Sequence, residues 1–284
     1  IINAAVNTGT LGAVTITNSG LLTIGSSGDM TLGRAFTQDG TGVVSTAGDI
    51  TTTADNIYFT TAVTLTGSVA LSLGTGTSAA ITFHSTLNGT TDFTQTLGLT
   101  AAAGNITFTG AIGASTPLGA ITVSCDTGTF SSTIAAASYT QVSGTVTFSN
   151  SVDLSGGVTI SGGTLGAPGA GRNFNVGGNW SNSGTFIHNN GTVTFDAGDA
   201  GNTITDGGSN WYNVTFNNAS GGWSFADSTI IGNDLTVSAG TLSGTNDITV
   251  NGGDATGTDG IINLTNGTFL LDGPGDFGAN TGWT

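Results

Sequence analysis

The sequence predicts an all-β fold, a parallel β-solenoid (β-helix) with irregular coils of about 20–25 residues. Three observations carry this expectation. An apolar-Thr-apolar triplet recurs along the chain, Asn-Gly and Asp-Gly pairs punctuate it, and Lys and Glu, which favour helices, are absent.

In chain order the triplets include Val14-Thr15-Ile16, Ile106-Thr107-Phe108, Ile121-Thr122-Val123, Val146-Thr147-Phe148, Val193-Thr194-Phe195, Val214-Thr215-Phe216, Leu235-Thr236-Val237 and Ile248-Thr249-Val250. Successive side chains of an extended strand point to opposite faces, so each triplet buries two apolar residues and leaves a Thr hydroxyl outside. One such unit cannot fold alone. Ordering its backbone costs about 1–2 kcal/mol per residue, and each inward side chain returns only about 1.5–3 kcal/mol. Stacked units share one core and pair each strand with those above and below, which predicts about 12 coils rising ~4.8 Å each in a rod.

The turn pairs include Asn88-Gly89, Asn190-Gly191, Asp206-Gly207, Asn251-Gly252, Asp259-Gly260 and Asn266-Gly267. They suit corners that need positive φ. They also mark antiparallel hairpins, so tandem immunoglobulin-like β-sandwich domains are the alternative fold. Against it stand the lack of a Cys-Trp-Cys arrangement and only 3 Pro. Composition divides the chain into an aliphatic-core solenoid part, residues 1–165, a Gly/Pro-rich break at 166–172, and an aromatic-rich solenoid part, 173–284. The last part holds Trp180, Trp211, Trp223 and Trp283, and its triplets centred on Thr194, Thr215 and Thr236 recur every 21 residues.

The 284 residues include 49 Gly and are 37% hydrophobic, enough apolar material for a long core interrupted by turns. All 17 acids are Asp and the only bases are Arg34 and Arg172, giving a formal charge of −15. Two cations cannot neutralise a row of phosphates, so nucleic acid and anionic lipid are poor partners. The acidity serves solubility, with divalent-cation binding as the sharper alternative. Cys125 is the single cysteine, so no intramolecular disulfide exists, and its place in the strand alternation predicts a small buried residue. No apolar stretch has the length of a membrane span, so no membrane insertion is expected. The Ile1-Ile2-Asn3 start suggests a processed product or a piece of something larger. A Thr, Ser, Asn and Gly surface with two tryptic sites suits an extracellular or cell-surface setting.

The stretch from Ala103-Gly104-Asn105-Ile106-Thr107-Phe108 through Thr116-Pro117-Leu118-Gly119-Ala120-Ile121-Thr122-Val123 resembles repeats of very large filamentous-haemagglutinin-like or autotransporter-like bacterial surface proteins. Gly178-Asn179-Trp180-Ser181-Asn182-Ser183-Gly184-Thr185-Phe186 through Val193-Thr194-Phe195 is similar to another repeat of such proteins. The resemblance implies a secreted, β-helical surface protein with adhesive or scaffolding duty.

Few residues invite chemistry. Gly273-Pro274-Gly275-Asp276-Phe277-Gly278 fits G-x-G-x-x-G, but a dinucleotide site needs a strand before it and a helix after it. Gly252-Gly253-Asp254-Ala255-Thr256-Gly257-Thr258-Asp259-Gly260 resembles a calcium-binding nonapeptide, which makes Asp254 and Asp259 the calcium candidates, with exposed corner residues as the plainer reading. No other cofactor is implied. Glycan hydrolysis needs paired carboxylates, for which Asp227, Asp234 and Asp247 are available, but His84 and His188 lie outside any pectinase-like motif. No G-x-S-x-G or H-E-x-x-H occurs, so catalytic residues are not assigned. Trp180, Trp211 and Trp223 are candidates for glycan stacking, against stacked core rungs. Thr-x-Thr pairs such as Thr145/Thr147 and Thr192/Thr194 would suit ice binding if they formed a regular array, which their uneven spacing argues against.

A solenoid's terminal coils expose strand edges, and no amphipathic capping helix is legible at either end. The expected role is a non-enzymatic structural subunit or segment of an extracellular filament or surface layer, whose partners are copies of itself or the rest of a larger polypeptide. An adhesin segment binding glycans is the alternative; a β-helical glycan-degrading enzyme or an ice-binding protein ranks below both.

Overall fold

The computed structural model describes residues 1–74 and 79–278, so Trp283 lies outside the described residues. The described chain is all-β, and no helix is long and apolar enough to cross a membrane. Its strands pair in parallel with those of the next coil, as a β-solenoid requires and sandwiches of antiparallel hairpins do not. Contacts group the chain into Ile1–Ser149 and Asn150–Thr284, and the glycine-rich 166–172 segment lies inside the second unit.

In the first unit three columns of strands run side by side. The first column stacks Val6–Asn7, Met30–Leu32, Ile50–Thr52, Val69–Ser72 and Leu97–Thr100. The second stacks Val14–Ile16, Phe36–Gln38, Ile57–Phe59, Ala80–Phe83 and Asn105–Phe108. The third stacks Leu22–Ile24, Val44–Thr46, Val63–Leu65 and Leu87–Asn88, with single-residue bridges from Leu87 to Ile112 and on to Ile134. Two long strands, Leu118–Phe130 and Ile134–Phe148, bend from the first column into the second through register shifts near Ser124.

Paired rungs of the second column start at Val14, Phe36, Ile57, Ile81, Ile106, Gly128 and Val146. By subtraction the coils are 18 to 25 residues long, yet their rungs stay in register. The corners absorb the difference. Gly144 shows how tightly they pack: its φ is +93°, and a Cβ there would stand 2.1 Å from the Cys125 carbonyl oxygen.

The core of this unit is not aliphatic throughout. Phe36, Phe59, Phe83, Phe108, Phe130 and Phe148 form a continuous ladder, with successive ring centroids 5.2, 4.9, 4.6, 5.1 and 5.6 Å apart. Gln38 lies one rung before Phe59 and is fully buried. Its Nε2 donates to Asn18 Oδ1 at 2.7 Å and to the Gly40 and Gly42 carbonyls, and its Oε1 accepts from the Thr60 and Thr61 N–H groups. A buried amide persists because its hydrogen-bonding capacity is met.

The second unit repeats the plan. Val152–Leu154, Asn173–Val176 and Thr192–Phe195 stack under the first halves of Asn213–Phe225 and Leu235–Gly244, followed by Ala255–Gly257. Val158–Ile160, Trp180–Asn182 and Asn202–Thr205 stack under the second halves, followed by Ile261–Leu264. Thr164–Gly166 pairs with Thr185–Ile187, and Thr229–Ile231, Ile248–Val250 and Phe269–Leu271 form a further column. The glycine-rich segment thus begins within a strand, and the Ala167 N–H continues the ladder to the Ile187 carbonyl at 2.9 Å.

Candidate functional site

Because inward positions are taken by the core, any site must lie on the outward positions of the strands or at the corners. In the first unit the outward residues of the second column form one register line, Thr15, Thr37, Tyr58, Thr82, Thr107, Thr129 and Thr147. Thr31, Thr51, Ser72, Thr100, Ser124 and Ser143 form another, with the last two hydroxyls 3.0 Å apart. In the second unit Thr194, Thr215, Thr236 and Thr256 align, the last two 3.3 Å apart. The uneven sequence spacing that argued against a hydroxyl array is therefore removed by the corners. Aromatic pairs also form on this surface: Tyr58, itself on the first line, lies 5.1 Å from His84, and in the second unit His188 stacks on Tyr212 at 5.5 Å.

A shallow depression in the first unit opens over a further outward position of the first column, where Ala70, Gly98 and Thr122 align. Its carboxylate, Asp49, accepts the Ala70 N–H at 2.7 Å, and Ser68 Oγ at its rim accepts the Thr96 N–H at 3.3 Å. Acid-base hydrolysis needs two carboxylates facing one bond. This depression offers one, already engaged in holding coils together.

That engagement is general. Asp29 Oδ1 accepts the Asp49 N–H one coil on, and Asn56 Oδ1 accepts the Ala80 N–H. In the second unit Asn213, Asp234 and Asp254 form a relay, each Oδ1 accepting the N–H of the next, through Asp234 and Asp254 to Asp276, at 3.1, 3.0 and 2.9 Å. Asp247 Oδ1 accepts the Thr268 N–H at 2.7 Å. Each acceptor stands immediately before the first inward residue of a strand, so its side chain reaches a backbone donor in the following coil.

The sequence-nominated residues find their places on this frame. Asp254 belongs to the relay, Asp259 is exposed, and among the described residues no three His, Cys, Asp or Glu side chains are arranged to hold a metal ion. Asp234 precedes a strand of one column and Asp247 a strand of another, so these two do not face a common bond. Gly273–Gly278 has no following helix among the described residues; Phe277 bridges back to Ala255.

The three tryptophans correct the glycan-stacking expectation, because each is about 1% exposed. Trp180 meets Phe186 at 4.9 Å and Trp211 at 5.0 Å, which makes these rings core rungs with no face open to a sugar. Trp211 Nε1 donates to Thr229 Oγ1 at 3.1 Å, and that hydroxyl donates to the buried Asp206 carboxylate at 2.5 Å. The indole nitrogens of Trp180 and Trp223 are buried without a hydrogen-bond partner. Cys125 is buried as expected, and burial, reinforced by the neighbouring Asp126 carboxylate, pushes its thiol up to about 11. It is a packing residue, far from thiolate reactivity at neutral pH. Burial, with Asp153 nearby, also raises the Asp196 carboxyl above its ordinary value.

Sequence reasoning missed the coil-to-coil acceptors and the Tyr–His pairs. The first had a signal, an Asx residue directly ahead of the strand triplet; the second had none, since partners 26 and 24 residues apart meet only once register is known.

Fold and surface together define a β-solenoid repeat protein with a filled core and a hydroxyl-rich exterior. Compared with known family models, curated proteins and solved structures, the chain matches none.

Proposed function

We propose that the chain is a non-enzymatic structural subunit or segment of an extracellular filament or cell-surface layer, associating by adding further coils to those at its extremities. The observation that supports this is the first coil. Its inward residues Ile2, Val6, Val14 and Ile16 are half-buried, whereas their counterparts one coil on, Ile24, Met30, Phe36 and Gln38, are almost wholly buried. The same grading recurs in the last described coil of the second unit, where Phe269 and Leu271 are half-buried above buried Ile248 and Val250. Inward residues of such a layer are still partly open, and another coil of the same kind would cover them and add strand partners. The resemblance to repetitive bacterial surface proteins agrees with this role, as does an exterior dominated by Thr, Ser and Asn.

Sedimentation velocity and negative-stain imaging of the purified chain test the proposal. Assembly should rise with concentration and be suppressed by Val14→Asp, which charges the first coil. A chain that stays monomeric at the highest attainable concentration, with no filaments in the images, removes the basis for this role.

A further inference from the structure

The chain has four Asn-Gly pairs, and the fold treats them in two ways. At the first, Asn88 Oδ1 accepts the Ser115 N–H at 3.0 Å, and the Gly89 N–H donates to the Thr116 carbonyl at 3.0 Å. At the second, the Gly191 N–H donates to the His188 carbonyl at 2.8 Å, and the Asn190 N–H to His188 Nδ1 at 3.0 Å. Asn251 and Asn266 are exposed, and neither their side chains nor the N–H groups of Gly252 and Gly267 make a hydrogen bond.

An asparagine amide is open to attack by the backbone nitrogen that follows it, most of all when the next residue is glycine and no Cβ shields that nitrogen. The nitrogen bonds to Cγ and gives up its proton, the Cγ–Nδ2 bond breaks, and ammonia leaves a five-membered succinimide. Water then adds to either ring carbonyl and opens the ring to aspartate or isoaspartate. Water is the sole co-reactant and nothing is oxidised or reduced. A glycine N–H held by a carbonyl does not surrender its proton readily, and an asparagine carbonyl held by an N–H does not turn to be attacked. We propose that Asn251 and Asn266 are sites of spontaneous deamidation and isoaspartate formation, and that the fold protects Asn88 and Asn190.

The consequence is local to the second unit. Isoaspartate inserts a methylene into the backbone at corners packed against the preceding coil: a Cβ at Gly252 would lie 2.8 Å from the Gly232 carbonyl oxygen, and one at Gly267 2.6 Å from that of Asn246. The Asn251 N–H, bonded to the Ile231 carbonyl at 2.8 Å, sits beside the first of these corners. Modification therefore lifts a corner from its neighbour and adds negative charge to a chain already at −15.

The test is to hold the full chain in mildly alkaline buffer, follow all four asparagines by mass spectrometry of chymotryptic peptides, and titrate isoaspartate with isoaspartyl methyltransferase. The folded chain should convert Asn251 and Asn266 several-fold faster than Asn88 and Asn190, the four rates should converge in denaturant, and Asn251→Gln with Asn266→Gln should remove most of the methylation signal. Equal rates at all four positions in the folded chain, or faster conversion at Asn88 or Asn190, would overturn the proposal.

Discussion

Trp180 and Trp211 occupy the same aromatic cluster, yet only Trp211 has an indole N–H that is bonded, through Thr229 to Asp206. Replacing a bonded donor costs more than replacing one that already lacks a partner. Trp211→Phe is expected to destabilise by about 1 kcal/mol more than Trp180→Phe in denaturant titrations, since the loss of ring volume is the same. Asp196 is the opposite case, a carboxylate placed where its charge is unwelcome. Its folded-state pKa lies above the unfolded value, so its stabilising contribution is complete below the ordinary carboxyl value of 3.8 and lost as pH rises through the folded pKa. Asp196→Asn should therefore raise stability at neutral pH, and the gain should vanish in acid. A variant no more stable than the parent at neutral pH would remove the electrostatic cost assigned here.

Strands carry core rungs, and several also carry a corner acceptor; the two differ in how far sequence revealed them. Triplets such as Val193-Thr194-Phe195 announce strand, inward face and outward hydroxyl at once, because alternation has a fixed period of two. The phenylalanine ladder of the first unit did not announce itself: its members lie 18 to 25 residues apart, and only paired backbones bring Phe83 and Phe108 to 4.6 Å. Phe83→Ala, which removes a ring stacked on both sides, should cost about 3–5 kcal/mol in equilibrium unfolding. The tryptophans left two readings open for a related reason. Aromatic composition signals burial and sugar recognition alike, and neighbours across coils decide between them. Asp254 is separated from a calcium ligand by the same contacts, since its Oδ1 already holds the Asp276 N–H. Asp254→Ala should cost about 1 kcal/mol, and neither calcium nor a chelator should shift the parent's melting temperature; a clear calcium-induced rise would restore the metal reading.

For the molecule, stability is spread over many near-equivalent interfaces between coils, so the damage from one substitution falls chiefly on the coil that carries it and its neighbours. Repetition was legible because it follows from composition and period. Function was less legible because the repeat spends its side chains on the core and on joining coils, and leaves outside a polar surface with little distinctive chemistry.

The stacking order can be measured in the first unit with spin-label pairs in a Cys125→Ser background, at Thr37/Thr129, Thr37/Thr147 and Thr15/Thr147. These pairs lie four, five and six rungs apart on one register line. The Cα separations are about 19, 24 and 29 Å, one strand spacing per rung, and the label-to-label distances from electron–electron dipolar spectroscopy should grow in the same order and by the same step. Distances that fail to grow in that order by nearly equal steps would contradict in-register parallel coils.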